Sequence, residues 1–323
     1  MRRARVKLDG EAHYHVMSRC ALQEHLLTGE VKGMFLTMLR RAEKFSGVKV
    51  IDYCIMDNHF HLLVKVPKRR AVSDEELDER IQILYGERKA ERMRERWKLL
   101  REGGAAAAVE CERAAFRRRM YDLSEFMKTF KQRFSLWYCS NHGNLEGTIW
   151  QGPFHSVLVE GSHDALGAVS TYIALNPVRA GLVADPGKYA WSGYGAASKG
   201  DAEAKAGLLS RFGGRRPEAE KWAACQKRTK AAAARVAVAK RGEAAAKEKG
   251  TASAKDVGQA AGGEYGPARR DRDISRGVAF GSEKFVGAAI AGASRTEAVR
   301  TSARRFCAGE GGALLFCAGR RRA

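Results

Sequence analysis

His59 and His61, separated by Phe60, stand in the stretch Tyr53-Cys54-Ile55-Met56-Asp57-Asn58-His59-Phe60-His61-Leu62-Leu63-Val64-Lys65-Val66. The pattern is that of a strand, whose successive side chains point to opposite faces. His59 and His61 therefore share one face, while Phe60, Leu62, Val64 and Val66 share the other. Two imidazoles one pleat apart on a rigid strand can hold a single metal ion. They could also be a plain pair of polar side chains on a half-exposed strand.

A second cluster lies more than a hundred residues later, in Ser170-Thr171-Tyr172-Ile173-Ala174-Leu175-Asn176-Pro177-Val178-Arg179-Ala180-Gly181-Leu182-Val183. Ser162 followed by Asp164 signals a helix start, and Leu166, Val169 and Ile173 make an apolar stripe at helical spacing. Pro177 disfavours helix at Asn176, so the helix should end there. Tyr172 and Asn176, four apart, share a face of its last turns. A tyrosine nucleophile with an amide oxygen one turn away can join a metal site with the histidines. The plainer alternatives are boundary packing for Tyr172 and a helix-ending Asn-Pro pair for Asn176.

The two clusters together resemble the REP-associated tyrosine transposases, members of the His-hydrophobe-His (HUH) superfamily of single-strand DNA endonucleases. The similarity rests on Asn58-His59-Phe60-His61-Leu62-Leu63-Val64 and on Tyr172-Ile173 through Val183. Further segments agree: Tyr14-His15-Val16-Met17-Ser18-Arg19, the basic helix Leu123–Phe134, Gly147-Thr148-Ile149-Trp150-Gln151 and Trp191-Ser192-Gly193-Tyr194. The match covers roughly residues 1–197.

The resemblance implies an α+β, ferredoxin-like fold, an antiparallel sheet with helices packed on one face, and an HUH-type domain over residues 1–197. It implies His59, His61 and Asn176 as metal ligands and Tyr172 as nucleophile. Lys128, Lys131, Arg133 and Arg179 are the corresponding DNA-binding candidates. The activity implied is cleavage and rejoining of single-stranded or hairpin DNA through a 5′-phosphotyrosine. A free phenol, with a pKa of about 10, is a poor nucleophile unless its phenolate is stabilised or its target polarised. A divalent ion would polarise the scissile phosphate and steady the leaving 3′ oxygen. Two imidazoles and an amide oxygen admit Mg²⁺ or Mn²⁺, with zinc as the competing ion.

The elements that must position these groups are legible as periodicities. A strand is expected near 12–19 and a helix near 28–46 with Val31, Phe35, Met38, Leu39, Ala42 and Phe45 buried. A hairpin follows, of strands near 48–55 and up to 66. Ser73-x-x-Glu76 opens a charged helical region to about 101, within a basic insertion of about 70–118. It is either a solvated helix or a DNA contact. Residues 103–112 resemble a low-complexity joint. A helix near 121–140 places Phe126, Phe130, Phe134 and Trp137 on one face, with Lys128, Lys131 and Arg133 to the sides, suited to a single-strand backbone. Residues 148–160 form a strand or hairpin. His13, His15, His142, His155 and His163 are expected to be structural or incidental.

The chain has 323 residues and a net charge of +21; residues 1–200 carry +8 and residues 201–323 carry +13. Such an excess favours polyanion partners without identifying one. Residues 198–323 form a basic Ala/Lys/Arg-rich region, expected to be partly disordered, whose stretch 227–256 cannot build a core. Asp273–Val286 loosely resembles a short C-terminal segment of some family members. Seven scattered cysteines without a Cys-x-x-Cys suggest reduced thiols. No apolar run suggests a membrane span or signal peptide, so a bacterial cytoplasmic, nucleoid-associated protein is expected, monomer or homodimer.

The chain departs from the family pattern in three places. Pro153-Phe154-His155 replaces an Arg-Phe-Lys run, Cys139-Ser140-Asn141-His142 a more basic one, and Ala174 stands where a polar residue is usual. An alternative function is therefore a DNA-binding protein with weakened catalysis, derived from such a transposase.

Overall fold

Apolar alternation over the first 66 residues produces three strands and a helix. β1 (Ala12–Arg19) precedes α1 (Gly29–Ser46), and β2 (Lys49–Ile55) and β3 (His59–Val66) form a hairpin. α1 ends at Gly47, whose φ of 75° is the left-handed conformation that glycine adopts without a steric penalty. β4 (His155–Val159), β5 (Ala279–Gly281), β6 (Thr301–Cys307) and β7 (Leu314–Arg320) complete one sheet, ordered β2-β3-β1-β4-β5-β7-β6. All neighbours pair antiparallel save β4 and β5, which run parallel. The structure, a computed structural model, describes residue 8 and residues 10–143, 148–213, 215–248, 279–294, 301–307 and 314–320.

The expected α+β class is the one observed. On one face, Phe60, Leu62 and Val64 of β3 join Tyr14 and Val16 of β1, α1, and α5 (Leu123–His142). Phe35 is the hub of this layer, 4.9 Å from the Phe60 ring and 4.7 Å from that of Phe130. The second face is covered as well, by α6 (His163–Ala174), whose Leu166, Val169 and Ile173 pack on Ile51, Leu63, Val157 and Val159. The physical reason is that the inner strands are apolar on both faces: every residue of β1 from Ala12 to Ser18 is buried.

The insertion forms three helices, α2 (Asp74–Tyr85), α3 (Glu87–Glu102) and α4 (Ala106–Arg118). The Ser73 cap is present, its side chain accepting from the Glu76 amide. The single helical run expected to about residue 101 is broken at Gly86, where φ is 86°. The expected joint at 103–112 is instead the start of α4, because alanine favours helix and Val109 and Arg113 bury against α2 and α3.

Beyond α6 come α7 (Asn176–Arg179), α8 (Gly193–Ser198), α9 (Ala202–Leu209), α10 (Glu218–Glu248) and α11 (Glu283–Ser294). α9 crosses β2 so closely that a Cβ on Gly207 would lie 2.9 Å from the Ile51 carbonyl oxygen. The Ala/Lys/Arg-rich stretch is helical up to Glu248, with Cys225 and Thr229 buried. Its remainder lies outside the described residues; within the region 198–323, expected to be partly disordered, the described residues form α9, α10, β5, α11, β6 and β7. Within the Asp273–Val286 segment, Ala279, Phe280 and Val286 are buried in the cores on either side of the sheet.

Candidate active site

The β1–β3 register sets Met17 opposite His61, Arg19 opposite His59, and His15 opposite Leu63. His15, Met17 and Arg19 therefore project on the same face as the two histidines, as strand alternation requires. His61 is 2% exposed and His15 1%, and His15 Nε2 lies 3.0 Å from His61 Nδ1, a hydrogen bond between the imidazoles. The His59 ring centroid is 5.2 Å from that of His61. Asn58 Oδ1 lies 2.6 Å from His59 Nδ1 and orients the ring.

The histidine strand starts from a pinned turn. Leu27 and Cys20 amides donate to the Asp57 and Asn58 carbonyls, and the Met56 amide to the His59 carbonyl. Lys32 reaches the same turn through Asp57 at 2.5 Å and touches Tyr189 Oη at 3.1 Å; that hydroxyl donates to the Ile55 carbonyl.

α6 delivers the tyrosine. Ser162 caps the helix through the Ala165 amide, and the stripe that buries Leu166, Val169 and Ile173 directs Tyr172 onto the histidine face. The Tyr172 ring centroid lies 5.6 Å from those of both His61 and His15. Arg179 covers it, with its guanidinium carbon 4.9 Å from the Tyr172 ring centroid. The structure thus brings Tyr172, His59, His61 and Arg179 together. It adds Arg19, and His15, expected to be structural or incidental rather than a ligand, is found bonded to His61.

Asn176 stands one turn away with its amide nitrogen committed to its own helix, donating to the Tyr172 carbonyl at 3.0 Å and the Ile173 carbonyl at 3.3 Å. Among the described residues no hydrogen bond joins it to either histidine. Of the other cations expected at DNA, Lys128 is exposed beside Glu125, and Arg133 lies over the Tyr85 ring. Lys131 turns inward, donating to Ser18 Oγ at 3.0 Å and the Gly152 carbonyl at 2.8 Å, and burial lowers its ammonium to about 8.

Burial, reinforced by Arg19, holds His59 down to about 4. Burial also holds His61 well below the ordinary imidazole range, with His15, His59, Arg19 and Arg179 adding to the effect. Both rings are therefore neutral at pH 7 and carry lone pairs, the state in which imidazole binds a divalent ion. As placed, no three described His, Cys, Asp or Glu side chains form a metal cluster.

The family model described as "Transposase IS200 like" matches residues 10–98, which span β1, α1, the histidine hairpin and the first inserted helices. Over this segment, a little more than a quarter of the chain, the protein is similar to the IS200-like transposases. The resemblance read from the motifs is borne out at that level. No curated protein matches. A REP-associated tyrosine transposase bound to a REP hairpin is similar at 15% identity over 61% of this chain and 82% of that one, with a TM-score of 0.38. A Deinococcus radiodurans R1 protein assigned as a transposase is 13% identical over 50% of this chain and 87% of that one, TM-score 0.27. At such scores these likenesses add no argument to the family match. Among the described residues no helix is long and apolar enough to cross a membrane.

Sequence reasoning missed His15, Arg19, and a buried pair formed by Asp52 and Ser170. Alternation puts residues 15, 17 and 19 on one face of a strand that the sequence already predicts, and the β1–β3 register decides that this is the histidine face.

Proposed function

We propose that this protein cleaves and rejoins single-stranded or hairpin DNA through a covalent 5′-phosphotyrosine at Tyr172. The observation that carries the reading is the Tyr172 ring lying against His61 on one sheet face, with Arg179 above it. The Tyr172 hydroxyl oxygen attacks the scissile phosphorus; the phenolic proton passes to solvent, and the 3′ oxygen leaves and takes a proton. Reversal by a 3′-hydroxyl restores the phosphodiester without a nucleotide cofactor. Arg179 holds a cation where the phosphate must arrive. His15 and Asn58 orient the two site imidazoles. His59, His61 and Asn176 would hold a Mg²⁺ or Mn²⁺ ion, whose contribution is to polarise the phosphate and steady the leaving oxygen.

A labelled hairpin oligonucleotide incubated with the protein and Mn²⁺ tests this. The expected result is an adduct that survives denaturing electrophoresis and is lost in Tyr172→Phe, which keeps the ring packing. An adduct of equal yield in that variant rejects Tyr172, and an undiminished yield in excess chelator rejects the metal.

The second reading, a DNA-binding protein with weakened catalysis, is favoured by the Asn176 amide bonded to its own helix and by the inward turn of Lys131. Tight hairpin binding with no adduct under any divalent ion is its signature.

A further inference from the structure

Helix α3 carries Arg88, Arg92 and Arg96 at intervals of four, so the three guanidinium groups share one face. With Lys89, Tyr85, Met93 and one carboxylate, Glu87, they line a groove of about 650 Å³ where α2 meets α3. The four cations are exposed. Arg96, at one end of the stripe, pairs with Glu112, and beside the stripe Arg94 pairs with Glu87 and Arg101 with Glu110. Among the described residues no ion pair takes up Arg88 or Arg92, and Lys89 lies 4.7 Å over the Tyr85 ring centroid. Like charges four apart repel and weaken the helix that bears them.

Two further cations meet the groove's tyrosine from outside it. Arg133 of α5 lies 4.9 Å over the same Tyr85 ring centroid, and Arg119 donates to Tyr85 Oη at 3.0 Å. The insertion packs on Phe45 of α1, in the layer opposite the one that carries Tyr172. A chain held in this groove therefore leaves the histidine face open.

We infer that the α2–α3 groove is a second phosphate-binding surface, which grips the DNA backbone outside the segment that meets Tyr172. The occupant is argued from charge: a polyanion with regularly repeated phosphates matches cations that recur along a helix about every 6 Å. The inference rests on the proposed DNA reading. Its own readout is binding, and so does not need cleavage.

The test uses the full chain, fluorescently labelled oligo(dT), and affinity measured across a salt series. Arg88→Glu with Arg92→Glu is expected to weaken binding about tenfold and to flatten the plot of log affinity against log salt by roughly 0.7 for each phosphate no longer gripped. Arg88→Lys with Arg92→Lys keeps the charge and should keep both values. Reversal of two exposed cations elsewhere, Lys44→Glu with Lys49→Glu, should change them far less. Unchanged affinity and slope in the Arg88/Arg92 reversal overturns the inference, as does an equal fall in the Lys44/Lys49 control. Loss of binding to polyglutamate with oligo(dT) binding intact assigns the groove to an acidic protein and also overturns it. Wild-type adduct formation, scored alongside, separates the two ideas: a missing adduct with a changed salt slope sinks the tyrosine chemistry and leaves the groove standing.

Discussion

Ser170, just before Tyr172 on α6, donates a 2.5 Å hydrogen bond to the buried carboxylate of Asp52 on β2. The other carboxylate oxygen accepts the Tyr53 amide at 2.8 Å. This contact fixes the helix that carries Tyr172 to the sheet. Burial dominates the energetics of the carboxylate and raises it to about 7, the hydrogen bonds and Arg211 only partly opposing it.

A pH-dependent stability follows from that shift. The folded state holds the Asp52 proton more tightly than the unfolded state, whose value is near 3.8. Stability should therefore fall as pH rises from about 4 to about 7, by at most ~4 kcal/mol. Asp52→Asn keeps the contact with Ser170 and removes the titration. Its thermal midpoint should exceed that of wild type at pH 8, with the gap shrinking steadily as pH falls and closing below about 4. A gap that is the same at pH 8 and pH 4 would contradict the assignment.

His15 is expected to matter to metal affinity through His61, whose Nδ1 it meets. Outer partners of this kind are worth roughly 10–100-fold in affinity. Calorimetry with Mn²⁺ on His15→Ala should show a loss in that range, and wild-type affinity in the variant would rule the role out.

Asn176→Ala removes both the amide oxygen proposed for the ion and the donor to the Tyr172 and Ile173 carbonyls. We expect weaker Mn²⁺ binding together with a lower melting temperature. A lower melting temperature with Mn²⁺ binding intact would restrict Asn176 to ending its helix.

Phe35→Ala empties the hub of the aromatic layer beneath the histidine strand. Chemical denaturation should report a loss of about 3–5 kcal/mol, the usual cost of deleting a buried phenylalanine. A loss under about 1 kcal/mol would mean the surrounding rings collapse into the space.

The parts of this fold that are legible in the sequence are those governed by local periodicity. Strand alternation puts His59 and His61 on a shared face, and helical spacing aligns Phe126, Phe130 and Phe134. His15 escapes such reasoning because only the β1–β3 register carries it beside His61, and register is a long-range property. Gly86 escapes it because the charge pattern of α2 and α3 runs through it unbroken. The Asp52–Ser170 pair spans 118 residues, and nothing local distinguishes an aspartate that will be buried from one that will be solvated. The spacing around Asn176 suits two roles, and its amide nitrogen performs the structural one.

The parallel pairing of β5 along β4 has a practical consequence for shortened chains. Leu158 and Val159 face Ala279 and Phe280 across that edge, so cutting the chain near residue 200 would expose a run of unpaired amides and carbonyls beside apolar side chains. Open edges of that kind recruit further copies. A truncated copy of this protein should accordingly self-associate and precipitate even with its histidines and tyrosine intact, making solubility the property that β5 protects.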